Sequence, residues 1–371
     1  MRSTLGRSVI LGGMSRVAIV HYWLLGMRGG EKVVEALCRM LPEADIFTLF
    51  YRPEAVSEEI RRHRVAASFL DPLRRHYRSL LPLMPVALEQ FDLRGYDLVV
   101  SSESGPAKGV LAPSAARHVC YCHTPMRYLW DLYPAYLNEF TTSKLKRAMM
   151  APLASYLRLW DYASAARVDE FVANSENVRR RIWKTYRREA RVIYPPVAVE
   201  SFRWKPAEDY YLVVSELVAY KRVDQAVRVC AKTGRRLKVV GDGPEYARLR
   251  AMAGAGVELC GRVTDEELRE LHARCRALVM PGEEDFGITA VEALASGKPV
   301  VALGRGGVLE SVGENGVLYE EATEEALRGA LERFERMQGM FRPEALRASV
   351  ERFSEGEFQR RMSEVLGLAR G

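Results

Sequence analysis

Apolar residues recur along this chain in two rhythms that take turns. Short runs apolar at nearly every position, Val17 to Val20, Leu98 to Val100, Leu212 to Val214 and Val300 to Leu303, have the length and bounding turns of strands buried on both faces. Ile46 to Leu49, Val119 to Tyr121 and Phe171 to Ala173 read the same way in the first half, as do Leu237 to Val240, Val257 to Leu259 and Ala277 to Met280 in the second. Between them lie stretches with helical spacing: Glu31 to Met40, Asn177 to Tyr186, Arg222 to Thr233 and Ile288 to Ser296. Thr264, followed three residues later by Glu267, is a capping box opening another helix. Strand and helix alternating in this way predict an α/β protein built from two doubly wound parallel sheets.

The border is expected at Val192-Ile-Tyr-Pro195-Pro196-Val197, because paired prolines continue neither element and stiffen a connector. That division predicts an N-terminal domain over 14–196 and a C-terminal domain over 197–353, with a ligand cleft between them. Ser354 with Glu357 opens a last amphipathic helix, 354–368.

A chain of 371 residues, 48% hydrophobic, is long enough for two cores. Its net charge of +7 is uneven: residues 1–198 carry 29 Lys+Arg against 19 Asp+Glu, and the remainder 26 against 29. The basic half could meet an anionic membrane surface, a phosphorylated acceptor or nucleic acid. No zinc finger, RNA-binding aromatic pattern or helix-turn-helix signal accompanies it, so nucleic acid is set aside. Asp71 to Val86 and Lys144 to Trp160 are both basic and apolar; they could touch a cytoplasmic membrane face or be core helices with basic outer faces. No run approaches the roughly 18–20 apolar residues that a membrane span requires. Met1 to Gly13 is too short in apolar length for a secretory signal and reads as an extension or start-site artefact ahead of the first strand. The six cysteines form no Cys-x-x-Cys pair, as expected of a cytoplasmic protein. His118, Cys120, Cys122 and His123 lie close in sequence, but strand alternation sends neighbours to opposite faces, so a buried strand is favoured over a metal site.

Candidate chemistry collects after strand ends. Glu284 sits on a loop following Ala277 to Met280, and Glu292 on the first turns of the helix that follows. Such a strand-loop-helix corner directs backbone N–H groups at the carboxyl edge of a sheet, where phosphorylated ligands bind; carboxylates there suit sugar and ribose hydroxyls. Gly29 and Gly30, in His21-Tyr-Trp-Leu-Leu-Gly-Met-Arg-Gly-Gly-Glu31-Lys32, likewise link a strand end to a helix start. Neither G-x-G-x-x-G nor Walker A is present, which argues against a dehydrogenase and a P-loop enzyme. Lys221 and Arg222 open a helix against its macrodipole, a placement that suits an anionic ligand such as a diphosphate.

Glu284-Asp-Phe-Gly-Ile-x-x-x-Glu292-Ala-x-Ala-x-Gly-x-Pro-Val resembles the E-x7-E signature of retaining GT-B glycosyltransferases of family four. Cys120-Tyr-Cys-His123-Thr-Pro-Met-Arg127-Tyr-x-Trp130-Asp131-x-Tyr133 resembles a block of the WbaZ-like mannosyltransferase branch. Ser101-Ser102-Glu103, Lys108-Gly109, Asn174-Ser175, Tyr194-Pro-Pro196 and Tyr220-Lys-Arg-Val-Asp224 are similar to further pieces of that branch. The resemblance implies two Rossmann-like domains facing an interdomain cleft, with the terminal helix packed back on the first. It also implies retaining transfer of a hexose, favouring mannose from GDP-mannose, to a hydroxyl of a lipid-linked glycan in surface polysaccharide synthesis, with no required metal or cofactor. By the same resemblance His123, Lys221 and Glu284 are the catalytic candidates. Gly29, Gly30, Arg222, Phe286, Gly287, Ile288, Thr289 and Glu292 would hold the donor, and Arg127 and Glu103 lie on the acceptor side. Arg127 could equally be a structural salt-bridge partner. The family usually has Arg after the serine of Ser215-x-Leu217, and this chain has Glu216, which would repel a diphosphate. That departure motivates a second expectation, a catalytically silent protein that binds a nucleotide sugar or a partner; a sugar-nucleotide epimerase is a third.

Overall fold

A computed structural model of the protein describes residues 16–134 and 144–368, so the N-terminal extension lies outside the described residues. The chain divides into two compact units, one running to Pro195 and resuming at Phe358, the other spanning Pro196–Glu357.

Among the described residues the first unit holds seven strands: β1 (Val17–His21), β2 (Asp45–Thr48), β3 (Val65–Ala67), β4 (Leu98–Glu103), β5 (Arg117–Cys122), β6 (Glu170–Ala173) and β7 (Ala190–Val192). They form one parallel sheet in the order β3-β2-β1-β4-β5-β6-β7. The second unit holds β8 (Tyr211–Val214), β9 (Leu237–Val240), β10 (Val257–Gly261), β11 (Leu278–Met280), β12 (Val300–Leu303) and β13 (Gly316–Tyr319). These too are parallel, in the order β10-β9-β8-β11-β12-β13. Each sheet reverses its strand order beside its first strand, between β1 and β4 and between β8 and β11. In open α/β sheets the crevice beyond the carboxyl ends at such a reversal is where ligands bind.

The central strands are apolar because helices cover both faces. In the first unit Ile19, Val100, Val119 and Tyr121 pack on one side with the helix Gly29–Met40 and with Phe358, Met362, Val365 and Leu366 of the helix Glu355–Leu366. Cys120 and Cys122 point to the other face, with Phe171, Ala173 and Ile182, as strand alternation requires. In the second unit Tyr211, Val213, Val239, Val279 and Val301 pack against the helices Val223–Thr233 and Glu324–Met337.

Residues 71–89 do not form one helix. Asp71–Leu83 is a run of 3-10 turns broken at His76, and Met84–Glu89 follows as α-helix, because Pro72, Pro82 and Pro85 each remove a backbone donor. Leu73, Leu83 and Val86 are left exposed there. The segment Lys144 to Trp160 lies inside the helix Lys144–Ser164, which exposes Tyr156 and Leu159. Among the described residues no helix is long and apolar enough to cross a membrane.

Candidate active site

In the second unit the corner between β11 and the helix Ile288–Ala295 is built by close backbone approach. A Cβ on Gly282 would sit 2.7 Å from the Lys221 carbonyl oxygen and 2.8 Å from its Cα, so only glycine lets the β11 loop lie against the turn after β8. From the far side the Gly307 amide donates to the Glu284 carbonyl at 2.8 Å. Gly287 then caps the helix in the left-handed region, at φ 88°. Held this way, Glu284 meets Lys221 across the strand-order reversal, Nζ to Oε2 2.5 Å, both side chains partly buried. Burial works to lower the Lys221 pKa, but the Glu284 carboxylate outweighs it and the value is raised, so the ammonium keeps its charge.

The other donor-side candidates are differently placed. Phe286 is buried edge-on to Phe353, with ring centroids 5.3 Å apart. Ile288 and Thr289 form the first turn of the helix. Glu292, one turn further on, is 3% exposed, with Oε2 3.7 Å from Nε2 of the fully buried His272. It does not stand open to solvent, because its helix face packs toward the helix Asp265–Arg274. Arg222 is the left-handed residue before the helix Val223–Thr233, and its guanidinium donates to the Ala322 carbonyl at 3.0 Å. Of the two adjacent cations, Lys221 thus turns to Glu284 and Arg222 to a loop carbonyl. Glu216 lies in the turn after β8, its carbonyl accepting from Ser215 Oγ and Val218 N. The Ser215–Leu217 turn is pinned to Gly241 and Gly243, where an added Cβ would collide with the Ser215 and Leu217 carbonyls. Gly241, Gly243, Gly282 and Gly307 were not singled out from sequence, although Gly-Asp-Gly-Pro directly after an apolar strand was an available signal.

In the first unit His123 follows β5 directly, its backbone N–H donating to the Glu103 carbonyl at 2.7 Å. Gly30, in the first turn of the helix Gly29–Met40, lies beside it: a Cβ on Gly30 would be 3.5 Å from His123 Nε2. His21, at the end of β1, and Ser102, at the end of β4, complete this cluster, paired in register across the strand-order reversal. Burial first, then His21, lower the His123 pKa to about 3, so its ring is neutral near pH 7.

Glu103, expected on the acceptor side, lies in the interior of the first unit. The side chain is fully buried, Oε2 accepting from the Lys108 backbone at 2.9 Å and Oε1 lying 3.5 Å from Lys108 Nζ. Lys108 also pairs with buried Asp161, which accepts from Trp130 Nε1 at 2.8 Å and Tyr186 Oη at 3.0 Å. Burial, offset by Lys108, raises the Glu103 pKa to about 7. Glu103 anchors an internal network that reaches the 126–133 turn through Lys108, Asp161 and Trp130. Arg127 begins that turn, its carbonyl accepting from Trp130 N and Leu132 N, and its side chain is partly buried. Among the described residues no three His, Cys, Asp or Glu side chains gather as a metal would need.

Two parallel-sheet Rossmann-like units, one with a histidine and serine cluster and the other with a Lys–Glu pair at the strand-order reversal, define the class, and comparison with known proteins names the family. The model described as Glycosyltransferase Family 4 matches residues 27–201, and that described as Glycosyl transferases group 1 matches 198–353. A GDP-mannose-dependent alpha-mannosyltransferase of Mycobacterium tuberculosis is 30% identical over 312 residues, 79% of this chain and 80% of that protein. An uncharacterized glycosyltransferase of Methanocaldococcus jannaschii, MJ1178, is 30% identical over 160 residues, 41% of this chain and just under half, 46%, of that protein. Among solved structures, Anabaena Alr3699/HepE in complex with UDP and glucose matches with a TM-score of 0.69 at 16% identity, over 95% of this chain and 99% of that one. The chain belongs to the GT-B glycosyltransferases of family 4 and group 1.

Proposed function

We propose that the chain is a retaining mannosyltransferase that moves mannose from GDP-mannose to a hydroxyl of a lipid-linked glycan in surface polysaccharide synthesis. The observation that carries this reading is the Lys221–Glu284 pair across the second sheet's strand-order reversal. Breaking a glycosyl bond to a nucleotide diphosphate leaves charge on the departing phosphate, and a preformed ammonium is what that charge needs. On donor binding Lys221 exchanges Glu284 for the diphosphate, and Glu284 becomes an acceptor for sugar hydroxyls. Arg222 supplies a second cation from the same turn, and the amides of Phe286, Gly287, Ile288 and Thr289 orient the sugar. Glu292 turns away from His272 to take the ribose hydroxyls. In the first unit His123 reaches the sugar, Gly29 and Gly30 approach the phosphates, and Arg127 stands on the acceptor side. The acceptor hydroxyl attacks the anomeric carbon on the face the leaving diphosphate occupies, the bond to that diphosphate breaks with its electron pair, and the hydroxyl proton passes to a diphosphate oxygen, so the anomeric configuration is kept without a metal. Mannose and guanosine are favoured by the name of the mycobacterial relative. Exposed Phe69, Leu73, Leu83 and Val86, with Arg74, Arg75 and Arg78 interspersed, suit docking at the cytoplasmic membrane face, where a lipid-linked acceptor would be met.

A panel of nucleotide sugars offered to the purified protein, with product anomers read by NMR, tests this. GDP-mannose consumed with retention is expected; consumption of another donor, or inversion, refutes the specific reading. Glu216 favours the second reading, a silent binder: GDP binding by calorimetry without turnover, and turnover gained by Glu216→Arg, would establish it.

A further inference from the structure

Two imidazoles meet on one hydroxyl in the first unit. Ser102 Oγ lies 2.9 Å from His123 Nε2 and 3.2 Å from His21 Nδ1, and the same Nδ1 is 3.0 Å from the Ser102 carbonyl oxygen. A carbonyl oxygen only accepts, so His21 Nδ1 carries a proton whatever the charge on that ring. His21 Nε2, fully buried, has no hydrogen-bond partner; the nearest carboxylate, Glu31 Oε1, is 3.9 Å away, beyond hydrogen-bond reach. Ser102 has a single hydroxyl hydrogen. With His21 donating toward Oγ, that hydrogen goes to the one lone pair it faces, on His123 Nε2.

His123 Nε2 is then an acceptor, and the proton of the neutral ring sits on Nδ1. The ring is only partly buried, and among the described residues no hydrogen bond occupies Nδ1. Gly30 keeps the cluster this tight, since a side chain there would press on Tyr22 Oη at 3.0 Å and His21 Cε1 at 3.4 Å.

We propose that Ser102, oriented by His21, is a positioning residue that locks His123 in the Nδ1–H tautomer, so that the ring offers a hydrogen-bond donor to a hydroxyl oxygen of the transferred sugar. This rests on the glycosyl transfer proposed above. It adds a specificity: a sugar lacking the hydroxyl that faces His123 loses the bond, and an Nε2–H ring would turn a lone pair toward that oxygen instead.

The full chain grown with isotope-labelled histidine gives six ring systems, and long-range proton–nitrogen correlation spectra distinguish their tautomers. His123 is assigned by the signal lost in His123→Gln. A neutral Nδ1–H ring is expected in the wild type. Ser102→Ala should populate Nε2–H and lower kcat about tenfold, the rate equivalent of one hydrogen bond, with a smaller change in the donor KM. Ser102→Thr, which keeps the hydroxyl, should restore both tautomer and rate. An Nε2–H ring in the wild type overturns the proposal, as does a Ser102→Ala protein with unchanged tautomer and kcat. If Ser102→Ala fails to fold, the wild-type spectrum decides alone. The two readings fail separately: an Nε2–H ring in an active enzyme removes the role of Ser102 only, whereas an Nδ1–H ring in a chain that turns over no nucleotide sugar supports the ring assignment and removes the transfer.

Discussion

Replacing Lys108 by methionine would keep the volume of the buried stem and delete its charge. In the native fold Lys108, Glu103 and Asp161 are all 0% exposed. Burial works to lower the Lys108 pKa, but Asp161 and then Glu103 outweigh it and raise it, so the ammonium stays charged. Removing one partner of a buried ion pair typically costs about 3–5 kcal/mol. Here the cost depends on pH in a way the structure specifies. The wild-type Glu103 pKa is raised to about 7, so below that pH it is already neutral and leaves little of its attraction to lose. Without Lys108 the carboxyl stays protonated to higher pH, and the folded state then binds a proton that the unfolded state has released. A group with a raised folded pKa loses stability as pH rises, at about 1.4 kcal/mol per unit for one proton. Between pH 6 and pH 8 the wild type stops losing stability through Glu103 near pH 7, while Lys108→Met continues. The ΔΔG of the variant should therefore be roughly 1.4 kcal/mol larger at pH 8 than at pH 6. Urea melts of both proteins at the two pH values give the number, and titrations outside the Lys108 cluster cancel in the difference. A pH-independent ΔΔG, or a cost near zero, would refute the picture of a charged triad around Lys108; Glu103→Gln in the same background should abolish the pH dependence.

Three further outcomes are expected. Lys221→Ala should lower transfer by roughly a hundredfold or more, as loss of a charge-stabilising donor does, while Arg222→Ala, whose guanidinium bonds a loop carbonyl, should cost about tenfold or less in the same steady-state assay. Gly282→Ala forces its loop off the Lys221 backbone, so it should destabilise by roughly 1–3 kcal/mol in denaturant melts and reduce kcat as the Lys221–Glu284 pair separates. Burial lowers the His118 pKa to about 4, so the unfolded chain binds a proton first and stability falls as pH drops from about 6.5 to 4. That loss is roughly 3 kcal/mol, and His118→Gln should flatten this acid limb in thermal melts across the range.

Most of both sheets can be read from the amino-acid pattern, and the exceptions have one cause. The interior strands of each sheet are buried on two faces and carry uninterrupted apolar runs, so Val17 to Val20 or Val300 to Leu303 mark themselves. The unforeseen strands, Val65–Ala67, Ala190–Val192 and Gly316–Tyr319, each occupy a sheet edge. With one neighbour and three or four residues they need little apolar surface, and Gly316 or Arg191 is tolerated. The same split runs through the candidate site. Lys221 and Glu284 could be picked out because the loops after the first and fourth strands of a doubly wound sheet meet at its strand-order reversal. Glu103 could not be recognised as an internal anchor, because Asp161, which shares Lys108 with it, lies far along the chain and only tertiary packing brings the three together. Glu292 likewise owes its burial to the helix Asp265–Arg274, which no local spacing connects to it.

The helix Glu355–Leu366 carries a consequence for synthesis. Its Phe358, Met362, Val365 and Leu366 complete the hydrophobic interior of the unit whose other strands were all made before residue 196. Four buried apolar side chains are worth roughly 6–12 kcal/mol, comparable to the whole net stability of a typical domain. Domains usually fold in the order in which the ribosome releases them. Here the earlier half must wait with an open hydrophobic flank while the later half is translated, and a chain cut short after residue 357 would give a well-formed second half attached to a first that cannot close.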